Sequence, residues 1–532
     1  MSLPPAKGYL ALVLHAHLPF LRHPEHRFHL EEQWLYEAIV ATYLPLLESF
    51  RALAAEGVRY RVTLSLSPPL CAMLADSLLR ARAEAHLDKL VALGETEIVR
   101  TRDDPAQHRV ATYYYERYSR LRRLWRELDG DLLGAFAALW RSGHLELVTV
   151  CATHGFLPVI REPAARRAQI AIAVESHRRM LGDYPRGIWL AECGFAEGVD
   201  ALLAEHGLRF FFVDSHGLEH ARPRPPLGVF GPVYTPRGVA AFARDKDSSK
   251  QVWSAQEGYP GDPYYRDFYR DIGFDLPLSQ IGPWVHPDGI RVHTGFKYHR
   301  VTGHVDLGHK AYYDPDIARE RAAQHAGHFM NCREGQVEWL AGQLGRAPCV
   351  VAPYDAELYG HWWFEGPMFL DFLLRKIHYD QQNIATVTPL EYLEAFPTNP
   401  VCELSPSSWG DGGYGAVWMD MSNDWIYPHV HRAEAEMVEV ARRHAGTGDG
   451  LVERVMAQAA RELLLAQASD WAFIIRNQTT VEYAQNRVKA HLARFWRLLR
   501  ELGAGDIDQG WLADVESRDN IFPDVDWRVY AR

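Results

Sequence analysis

Short apolar runs recur along the chain, and most end in a polar or ionisable residue. They cover 9–19, 60–68, 145–154, 187–194, 210–217, 251–256 and 349–358. Each is rich in Val, Leu, Ile or Phe, the pattern of strands buried on both faces of a parallel sheet. Helical periodicity fills the intervals. It predicts helices over 31–56, with a kink at Pro45, and over 163–181, with a proline start and Gly182 as the stop. Further helices are predicted over 197–205, 316–344 and 366–378. Strand and helix alternate as in βα units, and seven strands suffice to close a barrel.

Two regions break the alternation. Residues 71–142 read as almost wholly helical, with Tyr113, Tyr114, Tyr115, Tyr118 and Trp125 among them. After Pro400 the stretch SPSSWGDGGYGAVW leads into helices from 431 to 503. The expected architecture is an α/β (β/α)7 barrel with a helical insertion and a C-terminal helical domain. Its boundaries are 1–90 for the first part of the barrel, 91–143 for the insertion, 144–400 for the rest of the barrel and 401–532 for the helical domain.

Composition narrows the function. The 532 residues carry a formal charge of −11, which argues against a nucleic-acid partner but leaves neutral polymers open. Sixteen Trp, 25 Tyr and 22 Phe supply core packing and, in loops beside acids, surfaces for sugar rings. The six cysteines form no C-x-x-C pair. The first residues read as a buried strand rather than a signal peptide, and no run of 18 apolar residues occurs. A cytoplasmic protein with reduced thiols, without a membrane span, is the expectation.

Chemistry is expected at the C-terminal ends of the strands, which face the active site in a parallel β/α barrel. His15 and His17 end the first run, Thr153 and His154 the third, Glu192 the fourth, and Asp214 and His216 the fifth. Trp253 lies in the sixth, and Asp355 and Glu357 end the last, with His361 and Trp362 just after. Glu192 and Asp355 read either as loop-stabilising carboxylates or as the acid pair that glycosidic chemistry needs. His15, His17, His154 and Asp214 form an alternative metal-binding set, as in a zinc mannosidase or polysaccharide deacetylase.

An ordered set of motifs decides among these. They are HAHLP at 15–19, GHLELVT at 143–149, WLAECGF at 189–195, QVWSAQEGYPGD at 251–262, PYDAELYGHWWFEGP at 353–367 and ASDWAF at 468–473. With them the chain resembles glycoside hydrolase family 57 over nearly its full length, and within that family the α-glucan branching enzymes. The resemblance implies a retaining mechanism, no metal or other cofactor, and α-glucans (amylose, amylopectin, glycogen) as substrates. It makes Glu192 the nucleophile and Asp355 the general acid/base. His17 corresponds to the first-motif histidine, and His15 and His154 line the donor sugar. Trp253, Trp409 and Trp418 stack on glucan, His361 and Trp362 are further substrate contacts, and Asp470 closes the site. Tyr234, in the segment between Asp214 and Trp253, is the candidate shield of the intermediate. A stiff, short segment there predicts some hydrolysis beside transfer. An α-1,4-glucan hydrolase and a non-catalytic glucan-binding protein are the other readings.

Overall fold

The computed structural model describes residues 3–254 and 257–532. Nine strands form one sheet: β1 (Gly8–Ala16), β2 (Val62–Leu66), β3 (Leu145–Val150), β4 (Gly187–Trp189), β5 (Phe210–Val213), β6 (Val233–Tyr234), β7 (Ala240–Ala243), β8 (Cys349–Asp355) and β9 (Ile384–Thr386). Seven of them run parallel in the order β7, β5, β4, β3, β2, β1, β8. The ends of this array meet where the Asp245 amide donates to the Val351 carbonyl at 2.8 Å. The result is a (β/α)7 barrel. β6 lies antiparallel on the edge of β7, and β9 pairs with the start of β1.

Alternation along each strand separates two cores. Tyr9, Ala11, Val13, Val148, Val150, Phe210, Phe212, Ala240, Phe242 and Val351 fill the barrel, while Leu10, Leu12 and Leu14 face the surrounding helices. Side chains alternate faces with a period of two, so the inward set continues upward into His15 and Asp355 at the C-terminal rim.

The sixth barrel strand is 240–243, not the predicted 251–256. Residues 246–253 form a helix, Asp245 caps it by accepting from the Ser248 amide at 2.7 Å, and Ala255 and Gln256 lie outside the described residues. Of the AAFA strand, Ala240 and Phe242 lie in the barrel with Phe210 and Phe212 while Ala241 and Ala243 face the surrounding helices, so the strand is too short and its side chains too small to stand out in a pattern search.

The helix expected over 31–56 is a composite: Gln33–Ala38, a π turn at Ile39–Tyr43, then Leu44–Ala55. Pro45 has no N–H for the carbonyl four residues back, and the chain meets this with the wider turn just before it. By length and composition this helix could cross a membrane, but 61% of its most apolar stretch is buried inside the protein. Helices Ser77–Arg100 and Pro105–Glu127 form an antiparallel pair, and five helices between Ile426 and Arg518 pack over the barrel rim.

Gly360 sits between the π turn and the segment after β8. Its φ is +119°, and a Cβ there would fall 1.8 Å from the Ala41 carbonyl oxygen. Gly360→Ala is therefore expected to destabilise the fold by about 3 kcal/mol or more and to lower activity with it. Chemical denaturation of the two proteins measures this.

Candidate active site

Parallel strands deliver their ends to one place. β1 and β2 pair His15 with Ser65, and β1 and β8 pair His15 with Asp355. The loops after β3 and β4 add His154 and Glu192. Both adopt left-handed backbone conformations, φ 59° for His154 and 61° for Glu192, followed by Cys193 at 51°. Each costs of order 1 kcal/mol or more for an L-residue with a Cβ. Strain gathered at adjoining loops marks a constellation that the surrounding structure holds in place.

Glu192 is held at both oxygens. Trp409 donates its indole N–H to Oε2 at 2.7 Å, and the Ser469 hydroxyl donates to Oε1 at 2.8 Å. Burial pushes this carboxyl up to about 7, and the two donors oppose the rise. Behind Ser469 runs a chain of contacts: His154 Nδ1 to Ser469 Oγ at 2.7 Å, His15 Nε2 to His154 Nε2 at 2.9 Å, and His15 Nδ1 to Ser65 Oγ at 2.7 Å. A serine hydroxyl has one proton, and burial holds both imidazoles well below their ordinary pKa, hence neutral. With Ser469 donating to Glu192, one proton order is left. Ser65 donates to His15, His15 to His154, His154 to Ser469, and Ser469 to Glu192. His15 rests on the buried Trp189 ring, with centroids 4.9 Å apart.

His17 is fixed in the same manner. Its Nδ1 meets Ser67 Oγ at 2.8 Å, and its Nε2 donates to Asp470, 3.0 and 3.1 Å from the two oxygens. Its ring stacks on His154 with centroids 3.8 Å apart. Its backbone N–H donates to Glu357 at 3.2 Å, and the Tyr43 hydroxyl, delivered by the π turn, donates to the same Glu357 oxygen at 2.5 Å.

Asp355 differs from Glu192. Among the described residues its carboxyl accepts no hydrogen bond and makes no ion pair, and it is half-buried at the rim. Burial first, then the charges of Glu357 and Glu192, raise its pKa well above the usual carboxylate range. The rim thus carries one carboxyl fixed by two donors and one that has no protein partner among the described residues, a pKa raised by burial, and room for a ligand.

The other expected contacts are distributed unevenly. Trp253 and the exposed Trp362 lie together, with centroids 6.4 Å apart. His361 faces Phe268 and Glu37. Trp409 is a hydrogen-bond donor to Glu192 and packs edge-on to Trp189 at 5.1 Å. Trp418 is 2% exposed, packed on Phe156 beneath its own loop, and presents no face to a sugar. Tyr234 pairs with Ala240, the first residue of β7, so the hairpin places it at the N-terminal end of the barrel, opposite the rim. It cannot shield an intermediate bound there.

Ring nitrogens of His15, His17 and His154 are all engaged by protein groups, so these histidines offer a sugar their ring faces and edges rather than free nitrogens. His17, His154 and Asp470 each bring a possible metal-ligand atom within 4.8 Å of the others. With the protons placed as above, however, the single ring lone pair of each imidazole already faces a protein donor: Ser65 for His15, His15 for His154 and Ser67 for His17. Asp214, the fourth member of the alternative metal set, is ion-paired with Arg244 at 2.6 Å.

Sequence reasoning passes over Ser65, Ser67, Ser469 and Tyr43. A signal for the first two exists: His15 on β1 and His17 just past its end are mirrored by Ser65 on β2 and Ser67 just past its end.

The chain is similar to known proteins over nearly its full length. Residues 11–405 match the description "Glycosyl hydrolase family 57", and 429–530 match "1,4-alpha-glucan branching enzyme, C-terminal". A 1,4-alpha-glucan branching enzyme of Thermococcus kodakarensis is 34% identical, over 98% of this chain and 78% of that protein. The solved alpha-amylase AmyC of Thermotoga maritima is similar with a TM-score of 0.93 and 43% identity, covering 99% of each chain. A family 57 branching enzyme of Pyrococcus horikoshii is similar with a TM-score of 0.89 and 34% identity, covering 99% of this chain and 97% of that one. The chain belongs to glycoside hydrolase family 57.

Proposed function

We propose that the chain is a 1,4-α-glucan branching enzyme that cleaves α-1,4 links and rejoins the fragment through α-1,6 links, with some hydrolysis. The observation that carries the role assignment is the contrast between the two carboxyls. Two titratable groups whose surroundings push them apart take opposite roles. Glu192, held by an N–H and an O–H donor and titrating at about 7, is the more readily ionised of the two and is aimed: it is the nucleophile. Asp355, unpartnered and protonated, is the general acid.

In the first step Asp355 gives its proton to the glycosidic oxygen while Glu192 attacks the anomeric carbon, forming a glycosyl ester. In the second, Asp355, now a carboxylate, takes the proton of an incoming 6-hydroxyl, and the sugar leaves Glu192 with its configuration retained. A carboxyl separation of roughly 5–5.5 Å is expected for this course. Trp253 and Trp362 offer a stacking surface for the glucan, and Trp409, Ser469 and Asp470 reach the rim from the segment we read as the C-terminal unit, 401–532. Amylose, amylopectin and glycogen are the substrates of this reading. The six cysteines form no disulfide, which suits a reducing cytoplasm.

Relatives named as branching enzymes and the match at 429–530 support transfer. The 43% identity to a protein named as an alpha-amylase supports a second reading, hydrolysis of α-1,4 links. Incubation with amylose separates them, by counting new α-1,6 linkages against new reducing ends. Branches in excess are expected; reducing ends without branches would install the hydrolase reading. Tyr234→Ala is expected to leave that ratio unchanged, given its place at the far end of the barrel. A rise in reducing ends on Tyr234→Ala would contradict the placement.

A further inference from the structure

A cavity away from the rim lies between the composite helix 33–55, the paired helices 77–100 and 105–127, the segment 266–297 and the turn at 361–364. It is small, about 60 Å³. Three cations line it: Arg117, Arg266 and Lys297, which are 5%, 9% and 5% exposed. The two guanidiniums bracket one ring, 4.6 Å and 4.1 Å from the centroid of Phe364.

None of the three has a carboxylate within ion-pair distance among the described residues. Arg117 makes no hydrogen bond, and Arg117 Nη2 and Arg266 Nε are buried without a partner. Lys297 donates to the Phe268 carbonyl and meets His293 Nδ1 at 3.2 Å. Burial lowers its ammonium to about 8, so it keeps its proton at neutral pH.

No nearby acid forms an ion pair with them among the described residues. Asp271 is taken up by the amides of Gly273, Thr294 and Gly295 and by the Thr294 hydroxyl. Glu365 is fully buried; one oxygen accepts from the Arg266 backbone N–H at 3.0 Å, the other has no hydrogen-bond partner among the described residues and lies beyond ion-pair distance of the guanidinium, and burial raises its pKa. Glu37 is the one carboxyl on the wall, and burial raises it to about 7, so it supplies only part of one negative charge.

Arginine cannot shed its charge, and an unpaired buried charge costs several kcal/mol. A chain with a net charge of −11 has carboxylates to spare, yet none pairs with these cations. Such an arrangement fits a ligand that brings the missing charge. We infer that this cavity binds a phosphate group, free or carried on a sugar. A dianion with several peripheral oxygens serves two guanidiniums and an ammonium at once, where a carboxylate would satisfy one fork. Phe268, Phe364 and Tyr118 supply apolar wall for a sugar ring beyond it. The site shares the turn 361–364 with the segment that bears Asp355, so its occupant would steady that segment.

Thermal unfolding of the full chain at constant ionic strength tests this, with inorganic phosphate, glucose 6-phosphate and glucose as probes. A saturable rise in Tm is expected with the phosphate compounds and none with glucose. A tighter response to glucose 6-phosphate makes the sugar ester the ligand, and an equal one makes it free phosphate. Arg117→Gln and Lys297→Gln should each weaken the apparent affinity by about 10-fold or more, the loss of one charge-assisted contact. Without anion, Arg117→Gln should unfold no lower than the parent, because the unpaired charge is gone. No saturable response, or one that survives in both variants, overturns the site. An Arg117→Gln protein that simply unfolds earlier, in a chain that ignores phosphate, reduces the guanidinium to packing on Phe364.

Discussion

Glu192→Gln and Asp355→Asn are each expected to lower kcat/KM on amylose by about 1,000-fold or more while the protein stays folded. General acid–base catalysis alone supplies roughly 100- to 10,000-fold, and loss of the nucleophile removes the covalent route altogether. Both replacements are isosteric. Glutamine at 192 keeps an oxygen for one of its two donors and leaves the other facing an amide N–H, a local cost of about 1–3 kcal/mol. An opposing gain depends on pH. The Glu192 carboxyl titrates at about 7 in the fold against 4.5 in the open chain. Ionising it therefore costs the native state nothing below pH 4.5, and the cost grows as pH rises to 7. Glu192→Gln should thus gain stability relative to the parent as the pH rises through that window. Circular dichroism establishes folding and initial rates give the loss. Near-normal turnover by a folded variant of either residue would end the assignment.

The second large effect belongs to the groups that hold Glu192. Trp409→Phe and Ser469→Ala each delete one donor to the ionised carboxylate. Each should lower kcat/KM by about 10- to 100-fold, and should also move the acid limb of the pH–rate profile upward. The sign follows from the chemistry. A donor stabilises the charged form, so its loss raises the pKa of the nucleophile, and a higher pH is then needed to ionise it. The parent profile should be a bell whose acid limb lies near 7 and whose alkaline limb, set by Asp355, lies higher. For Ser469 the readout separates positioning from mere packing. Ser469→Thr retains the hydroxyl and should restore the limb, whereas a residue that only filled space would change the rate and leave the limb where it was.

Strand ends were the legible part of this site. A run of buried residues that stops at a carboxylate announces both its strand and its place at the rim, which is why Glu192 and Asp355 stand out in the sequence. The barrel strand at 240–243 was not legible, because it is short and mostly alanine, which weakens the apolar signal. Trp418 and Tyr234 share chemistry with sugar-binding aromatics. Only the turn at 235–238 and the packing of the 401–425 loop send one to the opposite end of the barrel and the other beneath its own loop. Ser65 and Ser469 were invisible for another reason. Their role arises from a proton order spanning three strand ends and a helix start, and no local spacing encodes it.

The hydroxyl that sets that order is residue 469 of 532. Synthesis runs from the N-terminus, so a growing chain exposes all seven barrel strands, Glu192 and Asp355 long before Ser469 and Asp470 leave the ribosome. During that interval Glu192 lacks the hydroxyl donor on one oxygen, and His17 lacks its carboxylate. A chain that stopped short of these two residues would carry both acids without the contacts that hold Glu192 and His17.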